Sequence, residues 1–139
     1  MSVVGFYATK SSLQTINDVT KTKLTWANEI YDFGGYFDLA NSKWVPPVGI
    51  VSITASMKGT GNINNGAYCY VGVYKNGSEF ALAGQSQLNN STAHCTITMI
   101  DSANGTDFYE AYAYLDSTTS TADVSSDDDF TIFTGRLIE

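Results

Sequence analysis

The chain has 139 residues and a mass of 15.0 kDa, the size of one ordinary domain, read here as a single domain over 1–139. Only 15% of its residues are charged, against about 25% in an average domain, and 7 Lys and Arg face 14 Asp and Glu for a net charge of −7. That balance argues against a nucleic-acid-binding surface, which needs a basic footprint. No apolar run approaches the ~20 residues that span a bilayer, so membrane insertion is not expected.

Strand signals dominate in chain order, and helix spacing is interrupted throughout by Gly, Asn or β-formers. Val51, Ile53, Ala55 and Met57 alternate with Ser52, Thr54, Ser56 and Lys58, the period-2 pattern of a strand with one buried face. Cys69, Val71 and Val73 alternate with Tyr70, Gly72 and Tyr74; Cys95, Ile97 and Met99 alternate with His94, Thr96 and Thr98. Tyr109, Ala111, Ala113 and Leu115 alternate with Glu110, Tyr112 and Tyr114. The pattern predicts strands near 3–10, 22–26, 35–39, 48–58, 67–75, 79–85, 92–101, 105–116 and 128–138. Pro46-Pro47 forces an extended entry to the fourth of these. Asn76-Gly77 and Asn104-Gly105 supply the positive φ of tight hairpins, and Asn65-Gly66 sits in a longer polar loop. Ser117 to Asp129 reads as the one mobile loop. An all-β chain of short strands and such turns is a sandwich or barrel, and the pattern predicts a jelly roll of two antiparallel sheets.

Charge is uneven. Residues 1–75 carry a net of +2, and residues 76–139 a net of −9, with Arg136 their only base. Asp127, Asp128 and Asp129 form the densest acidic run, a candidate for calcium because that ion takes several such oxygens on a flexible loop. The run matches no EF-hand spacing, and no other cofactor is expected.

The single histidine, His94, excludes multi-histidine metal sites. Its neighbour Cys95 cannot partner it as a nucleophile, because adjacent strand residues point to opposite faces. Nothing resembling Gly-x-Ser-x-Gly is present, and Asp107 and Glu110 show no fixed pairing of the kind glycosidases use. The chain is therefore read as a non-enzyme. Cys69 and Cys95 fall on the core phase of their strands and are read as two reduced, buried thiols, with a bridge between the sheets as the alternative. Four Asn-x-Ser/Thr sequons, at Asn76, Asn89, Asn90 and Asn104, are read as turn chemistry. The N-terminus, Met1-Ser2-Val3-Val4, lacks a basic region and a sufficient apolar stretch for a signal peptide.

Nine Tyr, seven Phe and two Trp are the more informative excess. Tyr68, Tyr70 and Tyr74 share one strand face, and Phe108, Tyr112 and Tyr114 share another. Rows of exposed rings serve subunit interfaces or sugar-stacking platforms. Tyr7, Phe108, Tyr112, Tyr114 and Ile132 are the interface candidates. Asn62, Asn64, Asn65, Tyr70 and Tyr74 are the ligand-contact candidates.

Several segments, in order, resemble the trimeric jelly roll of the complement q-subcomponent globular head and the tumour necrosis factor family. They are Gly5-Phe6-Tyr7-Ala8; Tyr31-Asp32 with Gly34-Gly35-Tyr36-Phe37; Trp44-Val45-Pro46-Pro47-Val48-Gly49; Val73-Tyr74-Lys75-Asn76-Gly77; and Phe133-Thr134-Gly135-Arg136-Leu137. The wording resembles phage and prophage versions most, through Pro46-Pro47 and Asn104-Gly105-Thr106-Asp107-Phe108-Tyr109-Glu110-Ala111-Tyr112. Ile50-Val51 departs from the usual aromatic after the strand entry. The resemblance implies a homotrimeric attachment knob at the end of a viral fibre, spike or tail needle, at the virion surface or otherwise extracellular. Such a knob would bind a bacterial surface polysaccharide or receptor in host attachment, and this chain would be the C-terminal part of a longer one. A stand-alone carbohydrate-binding module, a secreted complement-like ligand domain and a small glycan-active enzyme are the rival readings.

Overall fold

A computed structural model describes residues 3–64, 66–86 and 92–139. Its regular elements are strands: β1 Gly5–Thr9, β2 Gln14–Asn17, β3 Thr22–Lys23, β4 Asn28–Phe33, β5 Phe37–Asp38, β6 Lys43–Trp44, β7 Gly49–Thr60, β8 Tyr68–Lys75, β9 Ser78–Ser86, β10 Thr92–Ala103, β11 Tyr109–Tyr114, β12 Thr121–Val124 and β13 Ile132–Leu137. One sheet runs β2-β12-β7-β13-β1-β4, with β10 along the other side of β7; the second runs β5-β6-β11-β8-β9, with β3 on β11. Every pairing is antiparallel. The two sheets pack face to face as a jelly-roll sandwich.

The alternation of β7 sets the core. Val51, Ile53, Ala55 and Met57 are fully buried and belong to one core with Val71 and Val73 of β8 and Tyr109, Ala111 and Ala113 of β11. Each fully buried large side chain contributes about 1.5–3 kcal/mol. Aromatic residues close one region of this core. Phe6 stacks on Phe37 at 4.5 Å and meets Phe133 edge-on at 4.9 Å and Trp44 at 5.1 Å. Gly135 takes the inward phase of β13 between Phe133 and Leu137, and any Cβ there would lie 2.8 Å from the Trp44 ring and 2.9 Å from the Phe6 ring. The terminal Phe-Thr-Gly-Arg-Leu wording thus has a packing cause. The Tyr31-Asp32 motif has another. Asp32 accepts hydrogen bonds from the Tyr36 and Phe37 amides at 3.1 and 3.0 Å, folding back a turn in which Gly34 and Gly35 hold φ of 101° and 75°.

Asn76-Gly77 is the hairpin turn expected, with φ of 54° and 79° between paired Lys75 and Ser78. Asn104-Gly105 is not. Strands β10 and β11 lie in different sheets, so this turn crosses the sandwich. Asn104 builds it by accepting from the Thr106 and Asp107 amides, both at 2.8 Å. The expected mobile loop at 117–129 contains β12, which pairs with β2 and β7 and buries Ala122 and Val124. Its Ser/Thr/Asp composition hid two inward side chains. Only Thr22–Lys23 of the 22–26 strand pairs as such. β2, β6 and β12 were not anticipated, nor was β4, which is largely exposed on both faces and shows no alternation.

Candidate recognition surfaces

The outward face of the second sheet gathers five tyrosines. Antiparallel pairing sets Tyr70 opposite Tyr114, and Tyr74 opposite Glu110. Alternation then puts Tyr68, Tyr70 and Tyr74 of β8 on one surface with Tyr112 and Tyr114 of β11. Tyr74 stacks on Tyr112 at 3.6 Å, Tyr70 meets Tyr114 edge-on at 5.2 Å, and Tyr68 lies parallel to Tyr70 at 6.2 Å. Gly84 of β9 sits opposite Tyr70, and a Cβ there would lie 2.4 Å from that ring, so its bare backbone is the seat on which Tyr70 rests. Lys21–Glu79 and Lys23–Glu110 ion pairs flank the cluster. Burial first, then neighbouring acids, raises the phenols of Tyr74, Tyr112 and Tyr114 above their ordinary pKa, which already keeps a tyrosine protonated at neutral pH. Two rows read from the sequence as separate are one surface, because β8 and β11 are neighbours.

This regroups the sequence candidates. Tyr70 and Tyr74, expected to touch ligand, share the cluster with the interface candidates Tyr112 and Tyr114. Phe108, just before β11, has the Lys43 ammonium 4.9 Å over its ring. Tyr7 and Ile132 belong to the outward face of the other sheet and share no surface with them, since Phe6 and Phe133 take the inward phase of β1 and β13.

That opposite face has its own character. Its centre is rich in hydroxyls, from Ser52, Thr54 and Ser56 of β7, Thr96 and Thr98 of β10, and Thr134 of β13, with the exposed Arg136 of β13 opposite Ser52. Cross-strand hydroxyl pairs link Thr54 to Thr98 at 2.8 Å and Ser56 to Thr96 at 2.9 Å. Exposed apolar groups border it on both sides. On the β4 side Tyr31 stacks on Phe33 at 4.9 Å and approaches Tyr7 at 5.9 Å; on the β10 side Ile100 is 65% exposed. Strand β4 has no alternation of buried and exposed residues, so nothing in its sequence marks Phe33 or Tyr31 as a surface patch.

The loop candidates divide. Asn62 is exposed and holds φ of 50°, with its carbonyl accepting from the Thr118 amide at 2.7 Å. Asn64 is half-buried and pins a loop, its amide donating to Asp116 at 2.5 Å and to the Ser117 carbonyl at 2.9 Å. Asn65, Asn89 and Asn90 lie outside the described residues. The acidic run Asp127, Asp128 and Asp129, the calcium candidate, lies in the segment before β13. Asp127 accepts from the Asp129 amide at 3.2 Å and faces Lys58 at 3.4 Å, and among the described residues no three acidic, His or Cys side chains gather as a metal site.

His94 and Cys95 point to opposite faces, as alternation requires. His94 is exposed and stacks on Phe130 at 4.7 Å, while Cys95 is buried with its Sγ 3.4 Å from that of Cys69. That separation exceeds the ~2.05 Å of a disulfide. A polar network ties the crossover together instead: Lys75 meets Asp101 at 2.6 Å and Asp107 at 3.3 Å, Tyr109 donates to Asp101 at 2.6 Å, and Asn76 donates to Asp107 at 2.8 Å. Burial alone would raise Asp101; the hydrogen bonds from Lys75 and Tyr109 outweigh it and hold that carboxyl below its usual range.

No protein-family model matches the sequence, and no curated protein matches it. Solved structures do. The fold is similar to that of murine APRIL at pH 5.0, with a TM-score of 0.74 and 9% identity over 98% of this chain and 99% of that one. It is similar to the globular domain of zebrafish complement 1qA, at 0.69 and 10% over 98% of each chain. Eiger TNF from S. frugiperda matches at 0.65 and 7%, over 100% of this chain and 94% of that one. At these identities the likeness establishes the fold alone, and that fold is the tumour necrosis factor-like, complement 1q-like jelly roll.

Proposed function

We propose that the protein is a homotrimeric recognition knob, carried on a phage or phage-like particle, that binds a bacterial surface polysaccharide or receptor and performs no catalysis. The observation that carries the self-association is the outward face of the first sheet, rich in hydroxyls around the exposed Arg136 and bordered by Tyr31 and Phe33 on one edge and by exposed Ile100 on the other. Two unlike apolar borders on one face favour head-to-tail packing, which closes into a ring where the rotation permits. A self-complementary twofold contact would not need them to differ. The family resemblance of the sequence supports three as the number of copies.

The tyrosine cluster on the second sheet supports the recognition half of this reading. In a ring built through the first sheet, that cluster faces outward, and its rings and phenols suit stacking on sugar faces with hydrogen bonds to their hydroxyls. The same surface favours the second reading, a carbohydrate-binding module that works as a monomer. Binding of the purified protein to whole bacteria and to their extracted surface polysaccharide tests both. The proposal expects binding that Tyr70→Ala and Tyr74→Ala abolish without changing the assembly state. Undiminished binding by both variants would contradict it.

A further inference from the structure

Just past β1 the chain buries an ammonium group without burying a carboxylate beside it. Lys10 is 5% exposed. It donates to Gln14 Oε1 at 2.5 Å and to the Thr25 carbonyl at 2.6 Å, and it lies 5.2 Å from the centre of the Trp26 ring. All three are neutral. Gln14 is itself locked, its Nε2 donating to the Lys23 carbonyl at 2.9 Å and its Oε1 accepting from the Thr25 amide at 3.0 Å. The lysine is therefore held in place by groups that solvate its charge without cancelling it. The acidic groups on surrounding segments are Asp18 after β2, Glu29 and Asp32 on β4, Asp123 on β12 and Asp127 to Asp129 before β13. Among the described residues none of them forms an ion pair with Lys10.

These side chains wall a half-open cavity of about 150 Å³, lined by Lys10, Ser11, Ser12, Gln14, Thr25 and Trp26 among others, and containing no acidic residue. That is notable in a chain of net charge −7. The Trp26 indole N–H is buried with no hydrogen-bond partner. An unneutralised charge in such surroundings is costly, and an anion of matching charge offsets part of that cost.

We propose that this cavity is a binding site for a carboxylate, whose single negative charge rests against Lys10 while the exposed Ser11 and Ser12 face the remainder of the ligand. A monoanion matches the one cation present. A phosphate or sulfate dianion would leave net negative charge in the pocket. Burial that lowers the Lys10 pKa to about 8 also strengthens its attraction to an anion, so binding weakens as pH rises through that value. The site lies within one chain and does not depend on the assembly. The carboxylate belongs either to an acidic sugar or to a polypeptide terminus.

The test is an NMR titration of the Lys10 ammonium in the full chain against sodium glucuronate and against an acetylated peptide with a free C-terminus. Methyl glucuronate ester and the amidated peptide serve as neutral controls. A carboxylate is expected to raise the Lys10 pKa, and the neutral controls to leave it unmoved. Lys10→Met should weaken carboxylate binding about tenfold or more, and Tyr74→Ala should leave it intact. A response to glucuronate alone assigns an acidic sugar, and a response to the peptide alone assigns a partner chain. A response to both establishes a site that reads the carboxylate itself. No rise with either ligand, or equal binding by Lys10→Met, would overturn the proposal; should that variant fail to fold, the titration of the unaltered chain decides.

Discussion

Tyr74 and Tyr112 lie face to face, 3.6 Å between ring centres and 8° between planes, one on β8 and the other on β11. They join two strands that the sequence presents as unrelated rows. Such a pair is worth about 0.5–1.5 kcal/mol beyond the area it buries. A double-mutant cycle with Tyr74→Ala and Tyr112→Ala, read by chemical denaturation, should return a coupling of that size. Simple additivity of the two losses would show that the stack contributes nothing of its own.

Gly135 should tolerate no side chain. A methyl group there meets the Trp44 and Phe6 rings below 3.0 Å, in the most densely aromatic part of the core. Gly135→Ala is expected to cost about 1–3 kcal/mol through overpacking, visible as a lower denaturation midpoint. Unchanged stability would mean that the aromatic core yields more easily than its packing implies.

The Lys75–Asp101–Asp107–Tyr109 network predicts an acid-labile fold. Asp107 is held below the usual carboxylate range by the hydrogen bond from Asn76 first, and Asp101 by Lys75 and Tyr109 acting against its burial. The folded state thus binds fewer protons than the unfolded chain in acid. The stabilisation is present above the ordinary carboxylate pKa of about 4 and is lost as pH falls through the lower folded values. Asp101→Asn should cost about 1–3 kcal/mol at neutral pH and flatten the decline in acid, measured as denaturation midpoint against pH. A parallel decline in both proteins would remove Asp101 from the explanation.

Cys69 and Cys95 are buried, with their sulfurs 3.4 Å apart. Thiol titration should find them slow to react in the native protein and both reactive once it is denatured. Protection that persists in denaturant would mean a covalent bridge between the strands.

The long strands were legible because their inward and outward residues alternate strictly: β7, β8, β10 and β11 can be read from Val51, Val71, Cys95 and Tyr109 onward. Strand β4 was not, because an exposed edge strand has no apolar phase to announce it. Strand β12 was concealed by its polar neighbours, although Ala122 and Val124 are its only requirement for burial. Local turn chemistry at Asn76-Gly77 and Asn104-Gly105 looks alike in sequence. Only long-range pairing makes one a hairpin and the other a crossover. The recognition surfaces failed for the same reason. Alternation gives the face on which Tyr70, Tyr74, Tyr112 and Tyr114 stand within each strand, but sheet order decides that they meet. Lys10 could not be singled out at all, since its burial depends on Gln14, Thr25 and Trp26 converging on it from other segments.

Threefold assembly through the first sheet is tested most directly by light scattering on the eluting peak of a size-exclusion column at micromolar concentration. The expected mass is three times the 15.0 kDa of one chain, and Phe33→Asp or Ile100→Asp, each placing a charge on a bordering apolar patch, should return it to that of a single chain. A clean monomer for the unaltered protein, or a trimer that both substitutions leave intact, would contradict it.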